Sequence, residues 1–388
     1  MVSSPSAAAP SRRQLAITPA SVILVCVSAL LAIGLAVLFS ASSRAVGGAT
    51  AYLYKQLIFL ALAIGGGWVM ARVDLEQLRK FAWIVGVVAM VGLLLVLIPH
   101  IGISVKGSRR WLGLGGVRLQ VSEFAKLAMV FCLSHYLALN QNKLHDFVKG
   151  FVTPCAIIGG FALLILREPD FGTALLTGAI GMGLLFLAGG RLLFLIPSVA
   201  LALMAFAALV INNPNRLYRL MAYLDVEGNR TEGSYQLWQS ILAFAAGGID
   251  GVGLGNGRQQ QSFLPEAHTD FIFAILGEEM GLIFTLLVVS LFVTIFIAGL
   301  MHVRRAPNLF QFLVVTGCLL LICLQAIVNL AVVTGLVPTK GMSLPFISAG
   351  GSNLLLMGLL VGIIINSART WARPRPLVRK RALAEVVA

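Results

Sequence analysis

The chain has 388 residues, of which 59% are hydrophobic and 11% charged, and its mean hydropathy is +0.93. Soluble domains carry about a quarter charged residues, so this composition excludes a water-soluble enzyme and specifies a protein built into lipid. The formal net charge of +14 is not a nucleic-acid signal, because the basic residues flank apolar segments and no aromatic-basic RNA-binding module accompanies them.

Residues 1–19 are rich in Ser, Ala and Pro, carry Arg12 and Arg13, and read as a disordered cytoplasmic N-terminus. The apolar run that follows, to about Ser40, exceeds the roughly 7–15 residues of a signal-peptide core and reads as an uncleaved first span. Further spans are predicted near 53–71, 81–99, 121–139, 151–166, 171–189, 192–212, 270–300, 309–335 and 350–368. Each is close to the roughly 20 apolar residues that cross a bilayer. The fold class is therefore an all-α polytopic membrane protein with about ten transmembrane helices. A large extracytoplasmic loop, 213–269, separates helices 7 and 8, the membrane domain covers 20–368, and a basic cytoplasmic tail covers 369–388.

Basic residues orient the chain. Arg72, Arg79, Lys80, Lys143, Lys149, Arg191, Arg304, Arg305 and the tail RTWARPRPLVRKR favour both termini on the cytoplasmic side. Outer cations concentrate in a few places: Lys106, Arg109, Arg110 and Arg118, then Arg216, Arg219, Arg230 and Arg258, then Lys340. Cys26, Cys132, Cys155, Cys318 and Cys323 show no metal-type spacing and read as small core residues.

Within the long loop, SYQLWQSILAFAAGG places Leu237, Ile241 and Phe244 on one helical stripe, which predicts a helix on the surface or dipping into the protein. GGIDGVGLGNG follows with no preceding strand, so it reads as tightly turning backbone rather than a nucleotide-binding loop.

Four stretches carry candidate chemistry. GSRRWLGLG sets Arg109 and Arg110 beside Trp111; the guanidiniums suit phosphate oxygens and the indole a sugar face, against an ordinary interfacial tryptophan with solvated arginines. Glu123 and Lys126, three apart, suit a local ion pair or a substrate contact equally. FLPEAHTDFIFAILGEEMG brings Glu266, His268, Thr269 and Asp270 to the mouth of span eight. An Asp entering lipid is costly unless partnered, so Asp270 is either functional or a helix cap. Glu278 and Glu279 follow about two turns deeper. Their axial distance from Asp270, roughly 12 Å, is too long for a glycosidase-type pair, so they read as packing or proton-relay groups. In GLVPTKGMSLPFISAGGSN, Pro338, Pro345 and the glycines forbid a continuous helix. That leaves irregular backbone at membrane depth, where Lys340, Ser343, Ser348 and Ser352 can line a polar cavity. Gln325 and Asn329 suit interhelical hydrogen bonds.

GSRRWLGL, VSEFAKLAMV, EPDFGTAL, the 234–282 stretch and GLVPTKGMSLPFISAGGSNLL occur in one order across the ten spans. On these pieces the chain resembles the SEDS family (shape, elongation, division and sporulation; FtsW/RodA/SpoVE), and VPTKG is most like its division-type branch. The resemblance implies a peptidoglycan glycosyltransferase of the bacterial cytoplasmic membrane that polymerises lipid II at the division septum. It also implies a class B penicillin-binding transpeptidase partner among other divisome membrane proteins. Asp270 takes the place of the family's catalytic Asp, Trp111 that of its RRW tryptophan and Lys126 that of its SELAK-type lysine. His268 beside Asp270, and Ser348 among the cavity donors, are further candidate substrate-binding residues, with Glu123 and Lys340. The chain departs from the family at Gln120–Glu123, where QPSE is usual, and at Ala349 and Asn353, where PFISYGGSS is usual.

In that chemistry Asp270 takes the proton from the acceptor 4-hydroxyl, and cations among Arg109, Arg110, Lys126, Lys340 and the long-loop arginines stabilise the departing undecaprenyl pyrophosphate. The sequence names no certain cofactor; a divalent cation, Mg²⁺ or Mn²⁺, held by Asp270 and pyrophosphate is possible, but no ligand cluster demands it. The competing readings are a lipid II flippase with Glu123, Lys126 and Glu279 along its path, an elongation-type polymerase, and a non-catalytic scaffold. The concentration of motifs outside and the lack of an evident inverted repeat weigh against transport.

Overall fold

The computed structural model describes residues 18–42, 48–105, 108–114, 117–259, 264–265 and 267–371. Both expected tails beyond these limits, together with Lys106 and Glu266, lie outside the described residues. Thirteen α-helices are described: α1 (Pro19–Ala41), α2 (Gly48–Met70), α3 (Leu75–Lys80), α4 (Ala82–Leu97), α5 (Val121–Leu139), α6 (Thr153–Arg167), α7 (Phe171–Leu187), α8 (Leu192–Ile211), α9 (Pro214–Leu224), α10 (Tyr235–Gly247), α11 (Ile272–Val303), α12 (Leu309–Val333) and α13 (Gly351–Trp371). Eight segments are long and apolar enough to cross a membrane, and α4 and α7 are shorter apolar helices of 16 and 17 residues. Together they match the ten expected spans.

Local chemistry sets the ends. Thr18 Oγ1 accepts from Ser21 N and Ser21 Oγ from Thr18 N, a reciprocal cap that starts α1 at Pro19. Pro154 sits in the first turn of α6, and a π turn over Val148–Val152 lengthens that short span at its N-terminal end. Val121 opens α5 at the position where the family pattern has proline, so that departure leaves the helix start intact.

The bundle centres on α5 and α12, the most enclosed of the spanning helices, and α8 is the least: Leu195 is its one buried residue. Small residues let α2 and α13 approach closely. A side chain at Gly358 would meet the Ala63 carbonyl, and one at Gly362 the Gly67 carbonyl. One end of the bundle is tied by Asn308 and Gln311 donating to Glu76, by Arg369 donating to the Ala71 carbonyl, and by His302 stacking on Trp371. The other end carries the long connections and the expected site motifs.

Three features depart from expectation. The 102–120 connection is a three-stranded antiparallel sheet, β1 (Gly102–Val105), β2 (Ser108–Leu114) and β3 (Val117–Gln120), which pairs Trp111 with both Ile103 and Gln120. Short runs of β-formers separated by glycines explain it. In the long loop, α9 adds a second helix. In α10 the buried stripe is Leu237, Ser240, Ala243 and Gly247, while Ile241 is exposed. Phe244 packs on Phe273, Gly247 abuts the Gly277 carbonyl, and Ser240 donates to the Val333 carbonyl, so α10 dips between α11 and α12.

The eighth span is broken. Gly281 has φ 73° and ψ −170°, dividing α11 into an enclosed half-helix, residues 272–280, and a spanning part. The glycine-rich turn 247–257 wedges into the break: Leu282 N donates to the Gly248 carbonyl, while Val252 N and Gly253 N donate to the carbonyls of Glu278 and Glu279. A side chain at Gly281 would meet the Ile249 carbonyl oxygen at 2.3 Å. The glycines therefore serve close backbone approach.

Candidate active site

A polar cavity of about 210 Å³ opens at the loop-rich end. Separate stretches wall it: Arg110 and Trp111 of β2, Gln120 with Glu123 and Lys126 of α5, Asp170 and Thr173 at the start of α7, Thr269 and Asp270, Gln325 of α12, and residues 341–343 together with Ala349, Gly350, Ser352 and Asn353. Asp270 is half-buried there, at the foot of the enclosed half-helix. The position just before the half-helix is Phe271, which makes no side-chain cap bond. Asn329 Nδ2 holds the Asp270 carbonyl at 2.8 Å and also donates to the Met342 carbonyl, locking the 270 turn to the irregular segment. Gly341 faces the carboxylate so closely that a Cβ there would lie 2.5 Å from Asp270 Oδ2.

Lys126, 1% exposed, donates to both oxygens of Glu123 at 3.1 Å and to Gln325 Oε1 at 3.0 Å. Glu123 also accepts from Asn353 Nδ2 at 3.0 Å, and Gln325 donates to the Ser343 carbonyl. The pair is thus a buried, hydrogen-bonded ion pair at the cavity wall, which lowers the cost of placing both charges there. Asn353, where the family pattern has serine, supplies the longer arm that reaches Glu123. Gln325 and Asn329 tie α12 to α5 and to loop carbonyls rather than only helix to helix.

Asp170 was not among the expected site residues, yet it organises the cavity's rim. Its carboxylate, 3% exposed, lies 3.3 Å from Lys340 Nζ and 3.5 Å from Arg110 Nη1, and accepts from Thr173 Oγ1 at 2.9 Å. Burial pushes its pKa up, but Lys340, Arg110 and Thr173 outweigh that and hold it below the ordinary carboxylate value. Arg110 is fully occupied by this turn: Nε donates to the Glu168 carbonyl and Nη2 to the Pro169 carbonyl. Glu168 itself is buried, with both carboxylate oxygens unpartnered, and burial followed by the Asp170 charge pushes it up to about 8. The sequence signal was EPDFGTAL, a carboxylate immediately before an apolar run, the same kind of signal that singled out Asp270.

Other expected residues stand apart. Arg109 is exposed, next to Arg110 on the strand, and outside the cavity lining, so the two guanidiniums do not act as one grip. His268 also lies outside the lining; its carbonyl accepts from Ala349 N and its ring meets Tyr52 edge-on. Ser348 Oγ accepts from Leu344 N at 2.7 Å, closing a turn of the irregular segment instead of facing the cavity. Glu278 accepts from Arg258 N and Gln259 N, and Glu279 from Ser40 Oγ and Gly255 N. They pack the glycine-rich turn and α1 onto α11. Among the described residues no three His, Cys, Asp or Glu side chains converge as a metal-ligand set. A second recess of about 190 Å³, wholly apolar, lies among α2, α3, α4, α5 and α13, with Phe124 and Leu127 of α5 in its wall.

The FtsW/RodA/SpoVE family model, described as "Cell cycle protein", matches residues 20–372. The chain is 40% identical over 353 residues to the "Probable peptidoglycan glycosyltransferase FtsW" of Coxiella burnetii, covering 89% of this chain and 95% of that protein. It is 41% identical over 351 residues to the protein of the same description from Hahella chejuensis, covering 87% of each. Among solved structures, a chain of a peptidoglycan synthase complex superposes with a TM-score of 0.77 at 24% identity, over 93% of this chain and 100% of that one. Thermus thermophilus RodA superposes at 0.69 with 23% identity, over 91% and 97%. These two likenesses establish the fold.

Proposed function

The chain belongs to the FtsW/RodA/SpoVE family of cell cycle proteins, and from that premise we propose that it is a membrane-embedded peptidoglycan glycosyltransferase of the division type that polymerises lipid II. The observation that carries this reading is the juxtaposition, around one cavity, of a half-buried carboxylate at Asp270 with cations held in fixed ion pairs. Asp270 acts as general base on the acceptor 4-hydroxyl, which attacks the donor anomeric carbon; the anomeric C–O bond breaks and the diphosphate leaves with both bonding electrons. Cations at the rim offset the charge that develops on it. Trp111 lines the same cavity and suits a sugar face. Asp270 is the cavity carboxylate that would hold a Mg²⁺ or Mn²⁺, which would help to offset charge on the diphosphate.

The distribution of basic residues supports a cytoplasmic-membrane protein with both termini inside, the relatives' description as FtsW supports the division-type, septal reading, and the polymerisation and crosslinking complex among the fold neighbours supports a crosslinking transpeptidase as partner. The flippase reading loses its path residue Glu279, which packs a turn. The test is glycan formation from purified lipid II by the protein in detergent with its transpeptidase. Polymer is expected; lipid II translocation in vesicles without any polymer would overturn the reading.

A further inference from the structure

Two cations of the cavity wall are already engaged. Lys126 is enclosed, and its ammonium is shared between Glu123 and Gln325. Arg110 has each guanidinium nitrogen on the 168–170 turn. Three other cations differ. The Lys340 side chain is 29% exposed and meets Asp170, its stem lying against Gly172. Arg216 and Arg219 stand three apart on α9 and so share a face. The Arg216 guanidinium lies 3.5 Å over the ring of Phe171, the residue after Asp170, and uses Nη1 on the Leu209 carbonyl. Arg219 is exposed; after burial and the Arg110 charge, its own charge helps to lower the pKa of Lys340, which places it in the same field.

The turn 170–172 is therefore flanked by Arg110, Lys340 and Arg216, with Arg219 one helical turn along α9 from Arg216; against them stands the Asp170 carboxylate, while burial raises the Glu168 pKa to about 8. That excess of positive charge suits a diphosphate better than a singly charged phosphodiester. The flanks suit a lipid: α8 is exposed on almost all sides, and Tyr218, Met221 and Leu224 of α9 are exposed.

We propose that Lys340, Arg216 and Arg219 form the diphosphate subsite of a lipid-linked substrate, with Asp170 as the resting counter-ion that keeps Lys340 in place until the diphosphate engages it. The identity of that substrate rests on the glycosyltransferase reading; the anion chemistry does not. The probe is fluorescent farnesyl diphosphate, titrated by anisotropy against the full chain in nanodiscs, with unlabelled farnesyl diphosphate, farnesyl monophosphate and phosphatidylglycerol as competitors. Changing Arg216→Gln and Arg219→Gln together should weaken binding at least about tenfold, as expected for losing charge-assisted hydrogen bonds. The melting temperature should hold, and the paired Arg→Lys variant should retain most of the affinity. Unchanged binding in the glutamine variant, or displacement by phosphatidylglycerol as effective as by farnesyl diphosphate, would overturn the subsite. Binding needs no turnover, so a wild type that binds the probe yet forms no glycan refutes the glycosyltransferase reading and leaves the subsite standing.

Discussion

Lys340 Nζ lies 3.3 Å from Asp170 Oδ1, and its stem crosses the bare backbone of Gly172. A Cβ at residue 172 would sit 2.4 Å from Lys340 Cε. Because that atom ends a flexible side chain, Gly172→Ala should displace the lysine rather than unfold the protein. Polymerisation is expected to fall about tenfold, the scale of losing one well-placed cation, with the melting temperature nearly unchanged. In a Lys340→Ala background the same change should be silent, since the double-mutant cycle removes the shared partner. An additive loss would instead assign Gly172 a separate role.

The Glu123–Lys126 pair predicts a different signature. Lys126→Met strands a carboxylate that is 7% exposed, and should destabilise by about 3 kcal/mol in thermal unfolding. Combining it with Glu123→Gln removes the stranded charge and should recover most of that stability. Activity should not return, because the cavity wall has lost its ion pair.

Glu168 predicts a pH dependence. Its ordinary pKa of 4.5 rises to about 8 in the fold, so the folded chain keeps a proton that the unfolded chain releases. Stability from this group is fully present below pH 4.5, falls as pH rises from there to about 8, and is level above. Glu168→Gln should flatten that slope in melting temperatures measured from pH 6 to 9. An unchanged slope would place the titration elsewhere.

The break in α11 predicts local loosening. Gly281→Ala forces a side chain into φ 73° and against the Ile249 carbonyl at 2.3 Å, a backbone atom that cannot yield cheaply. A loss of about 1–3 kcal/mol is expected. Limited proteolysis should reveal cleavage in the 247–257 turn that the wild type resists.

The ten spans were legible because apolar length is a local property. Asp270, Trp111 and the Glu123–Lys126 pair were legible because charge or indole beside lipid stands out against its neighbours. Asp170 was overlooked, although it has that same signal, because its partners Arg110 and Lys340 come from distant connections. The reassignment of Arg110 from ligand to clamp, and of Ser348 from cavity donor to turn closure, depends on main-chain carbonyls, which no side-chain pattern announces. The break at Gly281 was hidden for a related reason. A glycine inside an apolar run looks tolerable until the turn that wedges against it is placed.

The central claim is that the Asp270 carboxylate does chemistry. The direct measurement is glycan polymerisation from purified lipid II by wild type and Asp270→Asn, each with its transpeptidase and with folding checked by melting. Asn keeps the volume against Gly341 and the main-chain carbonyl held by Asn329, and removes the basic oxygen. The account predicts a well-folded variant with polymerisation reduced by about 100-fold or more, in keeping with loss of a general base. A well-folded Asp270→Asn protein that polymerises at the wild-type rate would contradict it.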